Sequence, residues 1–416
     1  MYYISILKKL ILTIIIGAIA GYALLVAVYA LPVQRMDEHV KRIINRYEIE
    51  GINPFIIEGN MTTRLDNYTD GLMLNGAVYD GKESAVVKAA EINMITVDGK
   101  MYYDSLIEKY NNDTAQISTD SYSRYWHGYM IFLKPLLLFF DYYQIRVLNS
   151  GVQVILLLIL MWLFFKNRLY GCMVAWGATW IYWSAFIFGK SLQYSSMYYI
   201  TVLSLIFMLV WKAKLTKIYP VFFCISGAAV AYFDLLTYPL AGLGMTLALG
   251  IVLQKEKNWT ELFKQLIGEG FCWGFGYAGM WAGKWIIGTL FAKQNLIKEA
   301  ILQILYRTSD SASEIGKMDN ISLGSVFKQN LTAQSSIIIM TVVAVVLVFN
   351  IISLIIFNKR YHWDKVLLVI AVAVIPFAWF LVVKNHSFIH YWMTYRNLGV
   401  SVFALGCMRE LLKSKN

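Results

Sequence analysis

The chain of 416 residues is 58% hydrophobic and only 15% charged, whereas soluble chains usually carry about 25% charged residues. This composition excludes an ordinary soluble globular protein, because the excess apolar surface has to face lipid. The net charge of +11 predicts attraction to anionic lipid and not to nucleic acid, since the basic residues are spread over many short connections between apolar runs.

The apolar runs predict about ten transmembrane helices, because about twenty apolar residues cross a bilayer. The predicted spans are residues 9–31, 144–165, 169–189, 194–211, 218–236, 238–254, 270–292, 335–357, 365–383 and 392–408. The run 127–141 is apolar but short, and Pro135 interrupts it. This run therefore predicts an interfacial or re-entrant helix.

Basic residues predict the orientation of these spans. If the N-terminus is inside, every short cytoplasmic connection is positive, as the positive-inside rule expects. The basic residues on that side are Lys8, Lys9, Lys166, Arg168, Lys212, Lys214, Lys217, Lys255, Lys257, Lys359, Arg360, Arg409, Lys413 and Lys415. We therefore expect an all-α integral membrane protein, a single multi-pass domain over residues 1–416, with both termini cytoplasmic. Its richness in Ile, Lys and Asn indicates a bacterial cytoplasmic membrane.

Two long extracytoplasmic loops are predicted, at residues 33–126 and 293–334. In the first, residues 37–47 have helical spacing and residues 83–93 predict an amphipathic helix. Neither loop has enough alternating β-branched residues to predict a separate domain. All four cysteines fall inside apolar runs, which predicts neither a disulfide framework nor a metal site.

Six ionisable residues are predicted to lie near the outer membrane interface. They are Arg124, His127, Asp234, Lys284, His390 and Arg396. Such residues are costly at membrane depth and often mark functional sites. Structural alternatives stay open for each one: the lysine could snorkel, the aspartate could cap a helix, and the histidines could belong to an interfacial aromatic belt.

Four glycines repeat through the predicted span 270–292. The string GFGYAG from Gly274 to Gly279 matches a dinucleotide-binding pattern, but no strand precedes it. Gly270, Gly274, Gly279 and Gly283 instead form two G-x-x-x-G pairs, which predict close packing of membrane helices.

An acidic pair follows the first predicted span, in the string LPVQRMDEHV, where Asp37 and Glu38 are adjacent. This arrangement resembles the GT-C class of membrane glycosyltransferases, whose first outer loop carries an acidic pair just after the first helix. The long first loop with interfacial helices and the many spans are also similar to that class. The strings LDNYTDGLML (65–74) and RYWHG are similar to uncharacterised bacterial membrane proteins.

The resemblance implies transfer of a sugar, with inversion, from a polyprenyl-phosphate donor to a glycan or lipid acceptor at the outer face. Such transfer needs a carboxylate base and cations that stabilise the departing phosphate. Asp37, with Glu38 beside it, is the first candidate for the base, and Asp66 or Asp70 are alternatives. The predicted substrate-binding residues are Arg124, His127, Asp234, Lys284, His390 and Arg396.

Several alternatives stay open at this stage. No cofactor is assigned and no metal ligand is named, although a divalent cation bridging the acids is compatible with the sequence. Asp37 and Glu38 could simply be solvated loop residues. The whole chain could instead be a transporter or flippase of lipid-linked glycans, although no internal repeat of the kind that transporters show is found. A non-catalytic assembly factor is the third alternative.

Overall fold

The computed structural model describes residues 2–292, 295–311 and 320–413. These residues are mostly helical. The helices are α1 (Tyr2–Tyr29), α2 (Gln34–Glu50), α3 (Asn67–Ala77), α4 (Ala85–Glu91), α5 (Tyr102–Asn111), α6 (Met130–Leu137), α7 (Tyr142–Lys166), α8 (Tyr170–Tyr182), α9 (Leu192–Val210), α10 (Leu215–Phe233), α11 (Leu240–Leu253), α12 (Trp259–Phe291), α13 (Leu296–Arg307), α14 (Leu323–Thr332), α15 (Ile337–Ile356), α16 (Trp363–Val382), α17 (Lys384–Ile389), α18 (Tyr391–Thr394) and α19 (Gly399–Gly406).

Five of the described helices are long and apolar enough to cross a membrane. They are α7, α9, α15, α16 and the part of α1 from Ile4 to Tyr29. Helices α10 and α11 are apolar but shorter. This agrees with the predicted class of helical membrane protein, whereas the count of ten spans stays a prediction.

Three predicted spans differ from continuous helices of ordinary length. Residues 169–189 form α8 followed by a 3-10 helix, Ala185–Lys190, and residues 270–292 form the second part of the 33-residue α12. Residues 392–408 are divided between α18, a 3-10 turn at Tyr395–Leu398, α19 and the start of a second 3-10 helix.

The connections that follow α7, α11 and α15 lie beside the C-terminal segment. Lys255 Nζ donates to the carbonyl of Glu410 at 2.9 Å, and the Gly171 N–H donates to the Glu410 carboxylate at 2.5 Å. Arg360 donates to the carbonyl of Lys413 at 2.9 Å. We call this the basic end of the molecule. The opposite end, where residues 33–126 lie, is called the loop end.

Residues 34–121 at the loop end pack into a hydrophobic core that they share with residues of α1, α6, α7, α10 and α12. Met36, Val40, Tyr47, Leu74 and Leu106 are buried there. The helices predicted at residues 37–47 and 83–93 are confirmed as α2 and α4. Residues 130–137 of the predicted interfacial segment form the short helix α6, which contains Pro135.

The first loop also contains a two-stranded sheet, a small addition to an otherwise helical fold that was not predicted from the sequence. Strands β1 (Asn93–Val97) and β2 (Ile117–Ser121) pair antiparallel, from Asn93 opposite Ser121 to Val97 opposite Ile117. Strand β2 is almost entirely exposed, so its sequence lacks the apolar alternation by which a half-buried strand is recognised. The prediction that this loop is not a separate domain stays a prediction, since its buried residues share a core with the membrane helices.

The second long loop contains α13 and α14. Residues 293, 294 and 312–319 of the predicted loop 293–334 lie outside the described residues. Helix α13 connects this loop to the first one, because Arg124 donates to Glu299 at 3.1 Å.

Helices α10 and α12 cross at two glycines. A Cβ atom on Gly276 would lie 2.0 Å from the Cys224 carbonyl oxygen, and one on Gly227 would lie 2.0 Å from the Trp273 carbonyl oxygen. Among the predicted packing glycines, Gly279 and Gly283 contact side chains of α1, whereas Gly270 and Gly274 face open space. The packing prediction therefore holds for only two of its four glycines.

Candidate functional site

Three arginines from distant parts of the chain meet at the loop end. Arg64 precedes α3, Arg307 ends α13, and Arg396 lies in the 3-10 turn between α18 and α19. His386 and His390, from α17 and the residue that follows it, lie between them. We call these five residues the arginine cluster.

Arg396 is fully buried. Its guanidinium donates to the carbonyls of Trp392 at 2.9 Å and Thr62 at 3.1 Å, and it lies 4.1 Å from the centre of the Tyr194 ring. Carbonyl oxygens and aromatic faces carry only partial negative charge. The full positive charge of Arg396 is therefore not neutralised by these contacts.

Arg64 stacks on Trp392, with its guanidinium carbon 4.2 Å from the ring centre, and its Nε has no partner within the described chain. Two residues later, the buried Asp66 caps α3 by accepting from Thr69 N and Thr69 Oγ1, each at 3.0 Å. Burial raises the pKa of Asp66, while the bonds from Thr69 and the charges of Arg64 and Arg396 oppose the rise. Asp66 is therefore a buried carboxylate with two arginines nearby.

The two histidines of the cluster are neutral. Arg307 lies 2.5 Å from His386 Nδ1, and an arginine can only donate. His386 Nε2 must therefore carry the proton, which it donates to the carbonyl of Leu236 at 2.7 Å. Burial, followed by the charges of Arg307 and Arg64, lowers the pKa of His390 to about 3.

His390 also has a free ring nitrogen. Its Nδ1 is buried and has no hydrogen-bond partner among residues 2–292, 295–311 and 320–413. The two imidazole rings are 4.6 Å apart. A neutral His390 can therefore donate to or accept from a bound molecule without adding charge.

The electrostatics of the cluster favour an anion. Within the described residues, no carboxylate lies within ion-pair distance of Arg64, Arg307 or Arg396. Arg396 is fully buried, and Arg64 and Arg307 are half-buried. A buried charge is usually paired because leaving it unpaired is costly, and this argument applies most strongly to Arg396. A phosphate group would supply the missing negative charge and could accept paired hydrogen bonds from the guanidinium groups.

The acidic pair of the first loop lies away from this cluster. Asp37 accepts from Lys109 and from Tyr110 Oη, the latter at 2.8 Å. Glu38 is exposed. In the described part of the chain, neither acid forms a hydrogen bond or an ion pair with a residue of the arginine cluster. Asp37 thus serves as a link between α2 and α5.

Asp70 is buried and joins three helices. It accepts from Tyr142 Oη at 2.5 Å and from the N–H groups of Leu192 at 2.9 Å and Gln193 at 3.2 Å. Burial raises the pKa of Asp70 to about 6, although the charge of Arg146 opposes the rise. These contacts fix the start of α9, so Asp70 has a structural role in joining the helices.

His127 and Lys284 also have structural contacts. His127 Nδ1 lies 2.5 Å from Tyr129 Oη, and its Nε2 lies 3.0 Å from the Tyr122 carbonyl oxygen. Burial, followed by the charge of Lys284, lowers the pKa of His127 to about 3. Lys284 Nζ donates to the carbonyl of Ala90 at 2.9 Å. Lys284 therefore fastens α4 to α12.

The remaining two predicted residues flank the cluster. Arg124 pairs with Glu299 and stacks 4.6 Å from the Tyr122 ring centre. Asp234 accepts from Thr237 N at 2.9 Å and also from the Thr237 hydroxyl, which caps the turn before α11. The structure therefore brings together His390, Arg396 and Asp66 from the predicted set.

Sequence reasoning missed Arg64, Arg307 and His386. The sequence carries no signal that singles out the two arginines. The predicted first loop alone contains ten Lys and Arg residues, and the positive-inside rule does not apply to a loop of this length. His386 also carries no signal, because a neutral histidine between two apolar runs is compatible with a buried structural role.

A cavity also lies at the loop end, although no residue of the arginine cluster lines it. Its volume is about 770 Å³, and its wall includes Arg46, Glu50, Tyr143 and Lys190. Leu65, between Arg64 and Asp66, also lines it. Among the described residues, no group of three or more His, Cys, Asp or Glu side chains is arranged to hold a metal ion.

No protein-family model, no curated protein and no solved structure matches this chain. The function of the site therefore has to be argued from its own geometry.

Proposed function

We propose that this chain is a membrane glycosyltransferase. It moves a sugar from a polyprenyl-phosphate donor to a glycan or lipid acceptor at the outer face of a bacterial cytoplasmic membrane. In this proposal the chain crosses the membrane about ten times, with both termini in the cytoplasm and the loop end outside. The basic end, at which lysine-rich connections gather, supports that orientation.

The arginine cluster is the observation that carries the proposal. Its three arginines lack an ion-pair partner within the described chain, and the buried carboxylate of Asp66 lies near two of them. Phosphate departure needs cations, and activation of an acceptor hydroxyl needs a base. The cluster offers the cations and Asp66 offers the base, and a cavity of about 770 Å³ that Leu65 lines offers room for an acceptor.

The proposed reaction uses these groups in one displacement. The acceptor hydroxyl oxygen attacks the anomeric carbon, and its proton passes to the carboxylate of Asp66. The bond between that carbon and the phosphate oxygen breaks, and the oxygen keeps the electron pair. Arg64 and Arg396 stabilise the resulting phosphate, which stays attached to its polyprenyl chain. We therefore place the base at Asp66 and not at Asp37, which is paired with Lys109.

Sugar transfer in membranes that contain the protein tests this proposal, with radiolabelled polyprenyl-phosphate sugars as donors. Asp66→Asn keeps an acceptor for the Thr69 N–H but cannot take a proton. We expect it to lower transfer at least about 100-fold, since a general base contributes about 10²–10⁴-fold. Asp37→Asn is the matched control and should retain transfer at equal expression.

A second pair of variants tests the phosphate contact. Arg64→Gln should lower kcat/KM for the donor by about 10–100-fold, because a charge-assisted hydrogen bond contributes about 1.5–3 kcal/mol. Arg35→Gln changes an exposed arginine of the same loop and should leave kcat/KM unchanged.

Three outcomes would contradict parts of the proposal. Loss of transfer in Asp37→Asn together with activity in Asp66→Asn would move the base back to Asp37. Equal effects of the two arginine variants would remove the phosphate site from the cluster. No transfer from any donor by folded wild-type protein would overturn the enzyme and favour a transporter or flippase of lipid-linked glycans.

A further inference from the structure

A second cavity lies at the basic end, far from the arginine cluster. Its volume is about 260 Å³. It lies between the last turns of α15 and the C-terminal 3-10 helix, Cys407–Leu411. Its wall contains two arginines, Arg360 and Arg409, and several large apolar side chains.

The apolar part of the wall faces outward. The exposed fractions are 49% for Phe349, 47% for Ile352, 66% for Ile356 and 41% for Phe357. All four lie on or just after α15, one of the helices able to cross a membrane. A contiguous apolar face of this kind needs a cover, and lipid chains cover the exposed side of a membrane helix.

The two arginines bring positive charge to the inner edge of that face. The guanidinium of Arg409 stacks 4.9 Å from the centre of the Phe349 ring and has no hydrogen bond or ion pair within the described chain. Arg360 uses one nitrogen to donate to the carbonyl of Lys413 at 2.9 Å. Most of the donors on these two side chains are therefore available to a ligand.

The nearby carboxylate forms no ion pair with them in the described part of the chain. Glu410 follows Arg409 in the sequence, and its carboxylate accepts from the Gly171 N–H at 2.5 Å, on the side of α8. Burial raises the pKa of Glu410, and the charges of Lys255 and Arg409 oppose the rise. The cavity thus combines a cationic floor with an apolar outer wall. An occupant has to present an anion and a hydrocarbon chain together.

We propose that this cavity binds the headgroup of an anionic phospholipid. The phosphate lies between Arg360 and Arg409, and the acyl chains run along Phe349, Ile352 and Ile356. A volume of about 260 Å³ is just below the roughly 300–1,000 Å³ of pockets that enclose a whole drug-sized ligand. It suits a headgroup whose chains remain outside in the bilayer. Basic pockets beside membrane helices recognise anionic headgroups through the same chemistry.

Lipid binding by the purified, delipidated full chain in neutral detergent tests the proposal. The probes are phosphatidylglycerol, phosphatidylcholine and glycerol 1-phosphate, and native mass spectrometry counts the bound molecules. We expect phosphatidylglycerol to bind at least about tenfold more tightly than phosphatidylcholine. Glycerol 1-phosphate, which lacks the chains, should bind more weakly than phosphatidylglycerol.

The double variant Arg360→Gln, Arg409→Gln should weaken phosphatidylglycerol binding about tenfold or more and leave phosphatidylcholine unaffected. Lys359→Gln is the matched control, because Lys359 is exposed and does not line the cavity. If the double variant does not fold, Arg409→Gln alone replaces it in the test. This single change removes no hydrogen bond among the described residues, so it should leave the fold intact.

Equal binding of the two phospholipids would overturn the proposal. An equal loss of phosphatidylglycerol binding in Lys359→Gln and in the arginine variants would also overturn it, because such a result would indicate nonspecific electrostatic attraction to the whole basic end. Binding of glycerol 1-phosphate as tight as that of phosphatidylglycerol would show a phosphate site without a lipid. The readout is lipid binding, so its result does not depend on the proposed sugar transfer.

Discussion

Replacing Gly276 by alanine should separate α10 from α12. The added Cβ would lie 2.0 Å from the Cys224 carbonyl oxygen and 2.9 Å from the Cys224 Cα. A carbon and a carbonyl oxygen normally approach to about 3.3–3.6 Å. Because the obstructing atoms belong to the backbone, no side chain can rotate away, and the helices have to move apart by more than about 1 Å.

The cost can be isolated by comparison with another glycine of the same helix. Gly270→Ala places its Cβ in open space, so it only gains the advantage of alanine over glycine in a helix, about 0.5–1 kcal/mol. Gly276→Ala gains the same amount but also overpacks the crossing, which typically costs about 1–3 kcal/mol. We therefore expect Gly276→Ala to be less stable than Gly270→Ala by about 1–3 kcal/mol.

Thermal unfolding of the two variants in one detergent measures this difference, with the fraction of monodisperse protein followed after heating. Gly227→Ala should resemble Gly276→Ala, since its Cβ would lie 2.0 Å from the Trp273 carbonyl oxygen. A melting temperature for Gly276→Ala equal to or above that of Gly270→Ala would refute the close crossing of α10 and α12.

Three further changes test the loop end. Burial lowers the pKa of His127 to about 3 in the folded protein. The folded state therefore loses stability as pH falls below the pKa of an unfolded histidine, about 6.5. From pH 7 to pH 5 this loss is about 2 kcal/mol. His127→Asn should remove it from a pH series of melting curves, and an unchanged pH slope would contradict the assignment. Asp70→Ala should lower the free energy of unfolding by about 3 kcal/mol or more, because Tyr142 and two N–H groups lose their acceptor. Asp70→Asn keeps one acceptor oxygen and should lower the free energy of unfolding by less. Equal melting temperatures of the two Asp70 variants would argue against these hydrogen bonds. Lys284→Met should leave the Ala90 carbonyl unpaired and speed amide hydrogen exchange in α4, whereas unchanged exchange would show that α4 does not depend on this bond.

The apolar pattern of the sequence predicted the positions of the long helices better than the points at which helices are interrupted. The long runs in α7, α15 and α16 are visible in the sequence because each stays apolar for about twenty residues. The break at residues 395–398 is not visible, because it depends on distant partners. Trp183 Nε1 donates to the carbonyl of Arg396 at 2.6 Å, and Asn397 accepts from the Leu240 N–H at 3.1 Å.

The candidate site was harder to predict for the same reason. Arg64, Arg307 and the stretch from His386 to Arg396 come from three separate segments of the chain, and no spacing in the sequence connects these segments. Asp37 was the first candidate for the base because of its place after the first span. Its partner Lys109 lies 72 residues away along the chain, and only the folded loop shows that the two side chains pair.

The arginine cluster differs from three other cations of the loop end, which pair with carboxylates. Arg146 pairs with Glu50 at 2.7 Å, Arg124 pairs with Glu299 at 3.1 Å, and Lys109 pairs with Asp37. These cations lie at the same end of the molecule, so acidic partners are not scarce there.

Among the described residues, the buried Lys134 and Lys284 have only carbonyls as hydrogen-bond partners, so the cluster is set apart because three arginines meet there. Asp66 lies near two of these arginines but outside ion-pair distance. Within the described chain, the three arginines also have carbonyls, imidazoles and aromatic rings as neighbours. Such neighbours orient a guanidinium without neutralising it. An anion that arrives from outside the chain is therefore the partner that this arrangement fits best.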